Sequence, residues 1–275
     1  MVVTTYNRPM ALAWVLASLS QQTVMPGAIV VADDGSGEET FQVIQDWIDY
    51  FGQHHPRTRL IHVWQEDLGF RAAAVRNLAV KRAKAELNPS VLVFLDGDCV
   101  APPHLVQNHL VLIEPETMVA GGRGLLTQIY TNQLEQMIVE KTPREVIAGL
   151  ELLASPYRLW LSKASDRYLS MSQLTHPIFN RFRDAKPNDE SLVRTCNLSL
   201  WVRDFDRVDG FDESFVGWGL EDTEFAVRLI AQGVRVRSGR FATNVFHLCH
   251  PERCRSDLHA NAVKLDASRR RFSEV

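Results

Sequence analysis

The first hundred residues alternate between short apolar runs and segments whose apolar residues recur at helical spacing. The apolar runs predict four strands, at residues 1–5, 28–36, 58–65 and 90–98. The segments between them predict three helices, at residues 8–22, 38–51 and 71–86. The strands lack polar alternation, which is typical of strands that are covered on both faces. This order predicts an α/β fold, in which a mostly parallel sheet carries helices on both faces.

Polar side chains follow each of the four predicted strands. The first strand ends in "TTYNR", and the others end in the acidic pairs Asp33–Asp34, Glu66–Asp67 and Asp96–Asp98. The carboxyl ends of parallel strands lie at one edge of the sheet, where ligands bind in open α/β folds. The sequence therefore predicts one polar, largely acidic rim along this edge.

The pattern is looser after the fourth strand. Residues 125–190 are largely helical in pattern and contain no repeat, so we interpret them as an insertion that covers the sheet. We expect one domain over 1–275, with a first part at 1–105, a variable helical insertion at 106–193 and a last part at 194–275. The tail at 264–275 carries three consecutive arginines, which predict a solvated helix end or, as an alternative, a lipid-contact patch.

Composition and charge exclude some classes of protein. The 275 residues are 45% hydrophobic and 23% charged, as in globular proteins, and the net charge of -3 gives no indication of nucleic-acid binding. No apolar run approaches the roughly 18 residues of a membrane span, and the first residues do not resemble a signal peptide. The four scattered cysteines do not form a disulfide framework, so we predict a cytoplasmic protein with, at most, peripheral membrane contact.

The "FLDGDCV" stretch places Asp96 and Asp98 close together at the end of a buried strand. Two carboxylates at this separation repel each other unless a positive charge lies between them. The stretch alone is consistent with either a solvated polar turn or a metal site.

Several motifs occur together in a specific order. They are "VVTTYNRP", "VVADDGS", "EDLGFRAAAVRN", "VFLDGD", "GFDESFVGWGLEDTEFAVRL" and "HLCHP". This order resembles the family 2 glycosyltransferases of GT-A fold. The second half resembles the branch that shares a "GWGGED" motif with β1,4-galactosyltransferases and bacterial chondroitin-type polymerases. The resemblance covers residues 1–105 and about 194–250, whereas residues 125–190 match no motif of the family.

The resemblance implies a divalent cation, Mn²⁺ or Mg²⁺, that offsets the charge of a diphosphate leaving group. It implies that Asp98 binds the metal directly, and that Asp96 reaches the donor's ribose or the metal through water. The family's metal histidine matches His247, with His250 as the second choice. An alternative interpretation is a structural zinc site, for which the candidate ligands are His247, Cys249, His250 and Cys254.

The resemblance also assigns the "GWGLED" acids. It implies that Asp222 is the base that accepts the acceptor's proton and that Glu221 holds the acceptor. Trp218 offers an apolar face to a sugar ring, and Asn197 is expected near the acceptor. Leu220 departs from the family's glycine, which affects the expected shape of the acceptor pocket. The alternative is that both acids only start a helix.

The nucleotide side completes the predicted site. The resemblance implies that an acid after the second strand accepts a hydrogen bond from the uracil imide and that further residues border the nucleotide. The predicted nucleotide-sugar contacts are Thr4, Tyr6, Asn7, Arg8, Asp33, Asp34, Arg71, Arg76 and Asp96. For Arg71 and Arg76, a structural salt bridge is the alternative role.

The resemblance implies an inverting, metal-dependent transfer from a nucleotide sugar to a glycan or glycolipid acceptor. The expected donor is a UDP-sugar, and the expected pathway is the synthesis of bacterial surface polysaccharide or lipopolysaccharide. One alternative is a sugar-nucleotide nucleotidyltransferase, although the glycine-rich loop expected after its first strand is absent from "TTYNRPMAL". The other alternative is a non-catalytic glycan-binding protein of the same fold.

Overall fold

A computed structural model describes residues 1–153, 155–165, 174–251 and 256–272. Its strands are β1 Val2–Thr5, β2 Ala28–Asp33, β3 Arg59–Trp64, β4 Val91–Asp96, β5 Cys99–Val100, β6 Thr117–Ala120, β7 Arg123–Leu125, β8 Asn197–Trp201, β9 Arg235–Ser238 and β10 Val245–His247. Its α-helices are α1 Pro9–Ser20, α2 Glu38–His54, α3 Ala72–Leu87, α4 Leu105–Leu112, α5 Gln128–Met137, α6 Pro143–Gly149, α7 Pro156–Leu161, α8 Asn180–Arg183, α9 Val202–Arg207, α10 Glu221–Ala231 and α11 Leu258–Phe272.

Seven strands form the main sheet, in the order β3-β2-β1-β4-β8-β6-β9. The strands β1 to β4 are parallel, as the sequence predicts. Strand β8 is antiparallel to both of its neighbours, whereas β6 and β9 are parallel to each other and run in the direction of β4. The sheet is therefore mixed but mostly parallel, and the predicted α/β class is confirmed.

Three short strands form a second sheet, in the order β5-β10-β7, beside the carboxyl end of β4. Strand β10 is antiparallel to β5 and parallel to β7, and its His247 is paired in register with Cys99 and Leu125. This small sheet brings the turn after β4 and the end of β10 to the same place.

The hydrophobic core lies on both faces of the main sheet. Neighbouring residues of one strand, such as Val2 and Val3 or Phe94 and Leu95, belong to different buried clusters. Successive side chains of a strand point to opposite faces, so both faces must be covered by other elements. Each fully buried large side chain contributes roughly 1.5–3 kcal/mol through the apolar surface removed from water.

The segment after β7 packs against helix α1, which is buried from Ala11 to Ser20. The indole Nε1 of Trp14 donates a hydrogen bond to the carbonyl of Leu134 in α5, at 3.2 Å. A Cβ atom at Gly149 would lie 2.6 Å from the Trp14 ring, so α6 approaches α1 at a distance that excludes a side chain there. These contacts fix α5 and α6 beside the polar edge of the sheet.

The segment 106–193, predicted as a variable helical insertion, contains strands as well as helices. It contains most of α4 and all of α5 to α8, and it contributes β6 to the main sheet and β7 to the second sheet. These strands have four and three residues and flank Gly121 and Gly122, so they are too short for a periodic pattern to develop. Within the largely helical pattern, residues 144–170 contain most of α6, a 3₁₀ turn and α7, and residues 154 and 166–170 lie outside the described ones.

Helix α11 includes the three consecutive arginines of the tail in its last turn, as predicted for a helix end. Residues 273–275 of the predicted tail lie outside the described residues. Over the part of the chain that the structure describes, none of the helices combines the length and the apolar character of a membrane span.

Candidate active site

A cleft of about 970 Å³ opens at the carboxyl ends of β1, β2 and β4, where the sequence predicts the polar rim. It lies between the main sheet, the second sheet and the loop before α10. Its lining consists of Thr4, Thr5, Tyr6, Asn7, Arg8, Asp34, Phe70, Arg76, Asp96, Gly97, Asp98, Arg123, Leu125, Trp218, His247, Cys249, His250 and Pro251.

A larger groove, of about 1160 Å³, lies between α3, α9, α10 and α11. Several of its charged side chains neutralise one another, as in the Lys84–Asp206 pair at 2.7 Å and the Arg228–Glu224 pair at 2.7 Å. The cleft at the strand ends is the candidate active site, because Asp96 and Asp98 meet His247 and His250 there.

Asp98 is at the centre of the predicted metal site. It lies in the tight connection between β4 and β5, where the Gly97 amide donates to the Thr4 carbonyl at 2.7 Å. A Cβ atom at Gly97 would lie 2.9 Å from that carbonyl, so glycine is required for this close approach. His247 Nε2 is 3.4 Å from one Asp98 oxygen, and His250 Nε2 is 3.5 Å from the other.

The donor set fits a divalent cation. Oxygen and nitrogen or sulfur atoms of Asp98, Cys99 and His247 lie within 4.8 Å of one another. Burial lowers the pKa of His247, which favours the neutral imidazole that binds metals, and its Nδ1 is buried without a hydrogen-bond partner. Burial raises the pKa of Cys99 well above its ordinary value, so its thiol stays protonated. Asp98 and His247 are therefore the residues that would hold the cation, with His250 beside them.

The alternative zinc site receives less support from these positions. Cys254 lies outside the described residues. Among the described residues, Cys249 does not belong to the compact group of potential ligand atoms around Asp98.

Arg76 joins two parts of the cleft. Its side chain is only 4% exposed. It donates from Nε to Thr4 Oγ1 at 3.2 Å, from Nη1 to Glu221 Oε1 at 3.0 Å and from Nη2 to Asp96 Oδ1 at 3.4 Å. Burial lowers the pKa of Arg76, but the charges of Glu221 and Asp96 raise it by more. Its pKa therefore lies above its ordinary value, and the guanidinium stays charged. One buried cation therefore holds a carboxylate from the "DGD" turn and another from the "GWGLED" motif.

Burial raises the pKa of Asp96 to about 6, because it penalises the charged form of the carboxyl. Arg76 opposes this shift and the nearby Asp98 adds to it. The predicted repulsion between the two motif carboxylates is thus present in the structure, together with a partly compensating arginine.

The "GWGLED" acids begin helix α10. Gly217, Gly219 and Leu220 all have left-handed backbone conformations, with φ of +78°, +98° and +76°. Leu220 thus adopts a conformation that favours glycine, the residue that the resemblance predicts at this position. The sharp turn places Glu221 and Asp222 in the first turn of the helix, where acids are also favoured by the helix dipole.

Asp222 has the electrostatic environment of a general base. Burial and the neighbouring Glu221 raise its pKa to about 6, whereas Arg194 and Arg76 lower it. Its Oδ1 accepts a hydrogen bond from the Thr223 amide at 2.7 Å. A carboxylate with a pKa of about 6 is a stronger base than an ordinary aspartate and is still mostly unprotonated at neutral pH.

The residues after β1 and β2 form the other wall of the cleft. Asp34 lines it, and accepts hydrogen bonds from the Arg71 amide at 2.9 Å and from the Gln65 side chain. The Tyr6 hydroxyl donates to Asp67 Oδ2 at 2.9 Å. The Asn7 side chain accepts from the Gly37 amide at 2.9 Å.

Five predicted site residues do not lie among the cleft-lining residues, namely Asp33, Arg71, Asn197, Glu221 and Asp222. Glu221 is connected to the cleft through Arg76, which lines it. Asp33 is fully buried, accepts from the Ser36 amide at 2.8 Å and pairs with His62 at 3.0 Å. The Arg71 guanidinium donates to the carbonyl of Glu66. These interactions give Asp33 and Arg71 a structural role in the loops around the cleft.

Asn197 is another of these five residues, and it requires a correction. It is fully buried in β8, where its amide nitrogen donates to the Gly122 carbonyl at 3.0 Å and to the Thr243 carbonyl. Its oxygen lies 2.8 Å from His109 Nε2. Because both ends of the amide are engaged inside the protein, the structure does not support acceptor contact by Asn197.

The structure adds residues that motif reasoning missed. Glu135 of α5 forms an ion pair with Arg8 at 2.8 Å, and Arg123 of β7 lines the cleft near Asp96. The Asn261 side chain of α11 donates to the carbonyls of Val216 and Gly219 and so holds the "GWGLED" loop. None of the three belongs to a motif, and only the tertiary contacts bring them to the site.

Comparison with protein families gives two matches. Residues 1–148 match glycosyl transferase family 2, and residues 180–251 match the N-terminal domain of galactosyltransferase. The first match covers more than half of the chain and includes the "DGD" turn. The second includes the "GWGLED" motif and both cleft histidines.

Two curated relatives illustrate the sequence similarity. A validoxylamine A glucosyltransferase of Streptomyces hygroscopicus subsp. limoneus is 34% identical over 247 residues, which are 87% of this chain and 49% of that protein. The chondroitin synthase of Escherichia coli is 28% identical over 250 residues, which are 86% of this chain and 33% of that protein. The chain thus spans about half the length of the first relative and a third of the second.

Solved structures share the fold. A mannosyltransferase from Pyrobaculum calidifontis, in complex with GDP-Man and Mn²⁺, superimposes with a TM-score of 0.55 at 16% identity, covering 91% of this chain and 56% of that one. GalNAc-T7 with UDP, GalNAc and Mn²⁺ superimposes with a TM-score of 0.58 at 15% identity, covering 91% and 44%. The predicted GT-A fold is confirmed.

Proposed function

The chain belongs to glycosyl transferase family 2, and on this premise we propose that it transfers a sugar, with inversion, from a UDP-sugar to a glycan or glycolipid acceptor. In this reaction an acceptor hydroxyl oxygen attacks the anomeric carbon of the donor. The bond from that carbon to the diphosphate oxygen breaks, and the diphosphate leaves with the bonding electrons. The hydroxyl proton passes to a carboxylate of the enzyme.

We assign the leaving-group side to the residues around Asp98. Asp98 and His247 would hold Mn²⁺ or Mg²⁺, and such a cation, when bound, neutralises charge on the diphosphate. The proposal is supported by their separation of 3.4 Å and by the Mn²⁺ in the two solved structures of this fold. Asp96 would contact the ribose or a metal-bound water, with Thr4, Tyr6, Asn7, Arg8 and Asp34 around the nucleotide.

We assign the acceptor side to the start of α10. Asp222 would take the proton from the attacking hydroxyl, since its raised pKa of about 6 combines basicity with an unprotonated state at neutral pH. Glu221 would orient the acceptor, and the partly exposed ring of Trp218 would pack against a sugar face.

The observation that carries this proposal is the contact of one buried arginine with both sets of acids. Arg76 binds Asp96, within the family 2 match, and Glu221, within the galactosyltransferase match. The carboxylates that we assign to the donor and to the acceptor are thereby held close together, which supports a reaction between two substrates bound side by side.

We propose one glycosyltransferase unit over 1–275, in which 1–105 binds the nucleotide, 106–193 covers the sheet and 194–275 binds the acceptor. The similarity to chondroitin synthase supports a polysaccharide acceptor. We propose that the product is a bacterial surface polysaccharide or lipopolysaccharide. A cytoplasmic site of action, with peripheral contact to the inner membrane face, stays a prediction. A nucleotidyltransferase and a non-catalytic glycan-binding protein are the two alternatives that the assay must separate.

The test is a panel of UDP- and GDP-sugars incubated with the protein and Mn²⁺, with nucleotide release and thermal stabilisation as readouts. We expect one UDP-sugar to be hydrolysed slowly and to stabilise the fold. Asp98→Ala, the control, should lose both effects. Formation of a nucleotide sugar from a nucleoside triphosphate would favour the nucleotidyltransferase, and binding without release would favour the glycan-binding protein.

A further inference from the structure

Arg8 lies between the carboxylates of Asp98 and Glu135, beside the candidate metal ligands of the cleft. Its Nη1 donates to Asp98 Oδ2 at 3.0 Å, and its Nη2 donates to Glu135 Oε1 at 2.8 Å and to the Cys249 carbonyl at 3.4 Å. The side chain is 23% exposed, so it is mostly withdrawn from water. Arg8 immediately precedes α1, and its backbone carbonyl accepts from the Leu12 amide at 3.0 Å, which fixes the root of the side chain.

Arg8 and a divalent cation would compete for the same carboxylate. The two oxygens of Asp98 face His247 on one side and Arg8 with His250 on the other. A cation held by Asp98 and His247 would therefore lie close to the guanidinium. Like charges repel strongly in a site that is partly withdrawn from water, so both cannot use Asp98 fully.

Glu135 offers Arg8 a second acceptor outside the predicted ligand set. It follows Leu134, which is 1% exposed and whose carbonyl accepts from Trp14 of α1 at 3.2 Å. Helix α5 is therefore held against α1, and the Glu135 side chain reaches Arg8 from a fixed backbone. The Glu135 carboxylate is itself only 28% exposed, so its attraction for Arg8 is weakly screened by solvent.

We propose that Glu135 is a positioning residue that retains Arg8 when a divalent cation takes Asp98. Arg8 then keeps its Nη2 bond to Glu135 and turns the released Nη1 to a diphosphate oxygen of a nucleoside diphosphate. Glu135 thus strengthens cation binding by giving Arg8 another anionic partner, and it aims a guanidinium at the donor. The inference rests on the proposed function, because it requires the metal and donor site at Asp98.

The experiment is calorimetry of Mn²⁺ alone, followed by UDP at saturating Mn²⁺, on the full chain. The variants are Arg8→Gln, Glu135→Gln and the double variant, and Glu151→Gln is the control because Glu151 is an exposed glutamate of the same segment. We expect Glu135→Gln to weaken Mn²⁺ binding by roughly tenfold and Arg8→Gln to strengthen it several-fold. In the Arg8→Gln background, the Glu135→Gln effect should largely vanish, since no guanidinium remains to be retained.

The UDP titration gives a second readout. At saturating Mn²⁺, Arg8→Gln should weaken UDP binding by roughly tenfold, because a charged donor to the diphosphate is lost. Arg8→Lys covers the case in which Arg8→Gln does not fold. Its single ammonium cannot bind Glu135 and a diphosphate oxygen as a planar guanidinium does, so UDP should bind more weakly than to the wild type.

Two results would overturn the inference. One is a Glu135→Gln effect on Mn²⁺ affinity that is equally large with and without Arg8, because Glu135 would then act directly on the cation. The other is unchanged Mn²⁺ affinity in Glu135→Gln. Asp98→Ala separates this from failure of the proposed function: if Asp98→Ala binds Mn²⁺ like the wild type, the metal site itself is wrongly assigned.

Discussion

Replacement of Arg76 by methionine is the perturbation that most directly tests how the cleft is held together. Methionine keeps most of the apolar volume of the arginine stem but removes the charge between Asp96 and Glu221. The Glu221 side chain is 10% exposed and the Asp96 side chain is 30% exposed. Glu221 would therefore be left as a nearly buried carboxylate without its cation.

The expected cost follows from these exposures. Removing one partner of a buried ion pair typically costs about 3–5 kcal/mol, because the remaining charge stays desolvated. Asp96 borders the cleft and can recover water, which favours the lower end of this range. We therefore expect Arg76→Met to lower the free energy of unfolding by about 3 kcal/mol at pH 8.

The assay is urea unfolding at pH 8 and pH 5, with two comparison variants. Arg82→Met, on the same helix, removes a 58% exposed arginine that pairs with Glu86, so we expect a loss of at most about 0.5 kcal/mol. Arg76→Met/Glu221→Gln should recover part of the loss, because glutamine needs no counter-charge. The loss in Arg76→Met should shrink at pH 5. The pKa of Asp96 is already raised to about 6, and removal of Arg76 raises it further. A carboxylate with a raised folded pKa destabilises the fold as the pH rises towards that pKa, so Asp96 costs little stability at pH 5.

The reasoning would be refuted by an Arg76→Met protein that unfolds at the same urea concentration as Arg82→Met. An equal loss at pH 5 and pH 8 would also contradict it, because a packing defect does not titrate.

Four further predictions concern individual carboxylates. At saturating substrates the transfer rate should fall as the pH drops below about 6, where Asp222 gains its proton. In Glu221→Gln this fall should occur at lower pH, because the variant lacks the negative charge that raises the pKa of Asp222. Asp34→Ala should weaken UDP binding by roughly 10- to 100-fold in calorimetry. Asp33→Ala should instead lower the thermal midpoint with little change in UDP affinity, since Asp33 is fully buried. Asp98→Ala should lower the transfer rate by about 10²- to 10³-fold in an assay of UDP release, and full activity after chelation would contradict a metal.

The first four strands and first three helices could be predicted because their patterns are long and regular. The parallel sheet places their carboxyl ends together, so Asp34, Asp96 and Asp98 line one cleft as expected from sequence. His247 is likewise brought to Asp98 by its motif position at the end of β10. In these cases local pattern and tertiary placement agree.

Other features depend on contacts that a single sequence does not encode visibly. Asn197 occurs in a motif near the site, yet its amide is satisfied inside β8, so proximity in sequence did not predict side-chain direction. Glu135 lies in an amphipathic helix, where a glutamate on the polar face carries no functional signal. Its contact with Arg8 arises only because α5 packs against α1. Strands β6 and β7 are too short to show a periodic pattern, and only pairing with distant strands defines them.

The central claim is that Asp222 is the base of a sugar transfer. Asp222→Asn keeps the size of the side chain but cannot accept the proton, and the Asp98 and His247 side chains are unchanged. UDP affinity with Mn²⁺ and the transfer rate should be measured on one preparation of this variant. We predict near-normal UDP affinity and a rate that is lower by at least about 10²-fold. Near-normal transfer would contradict the claim and would leave Asp222 with only a role at the start of α10.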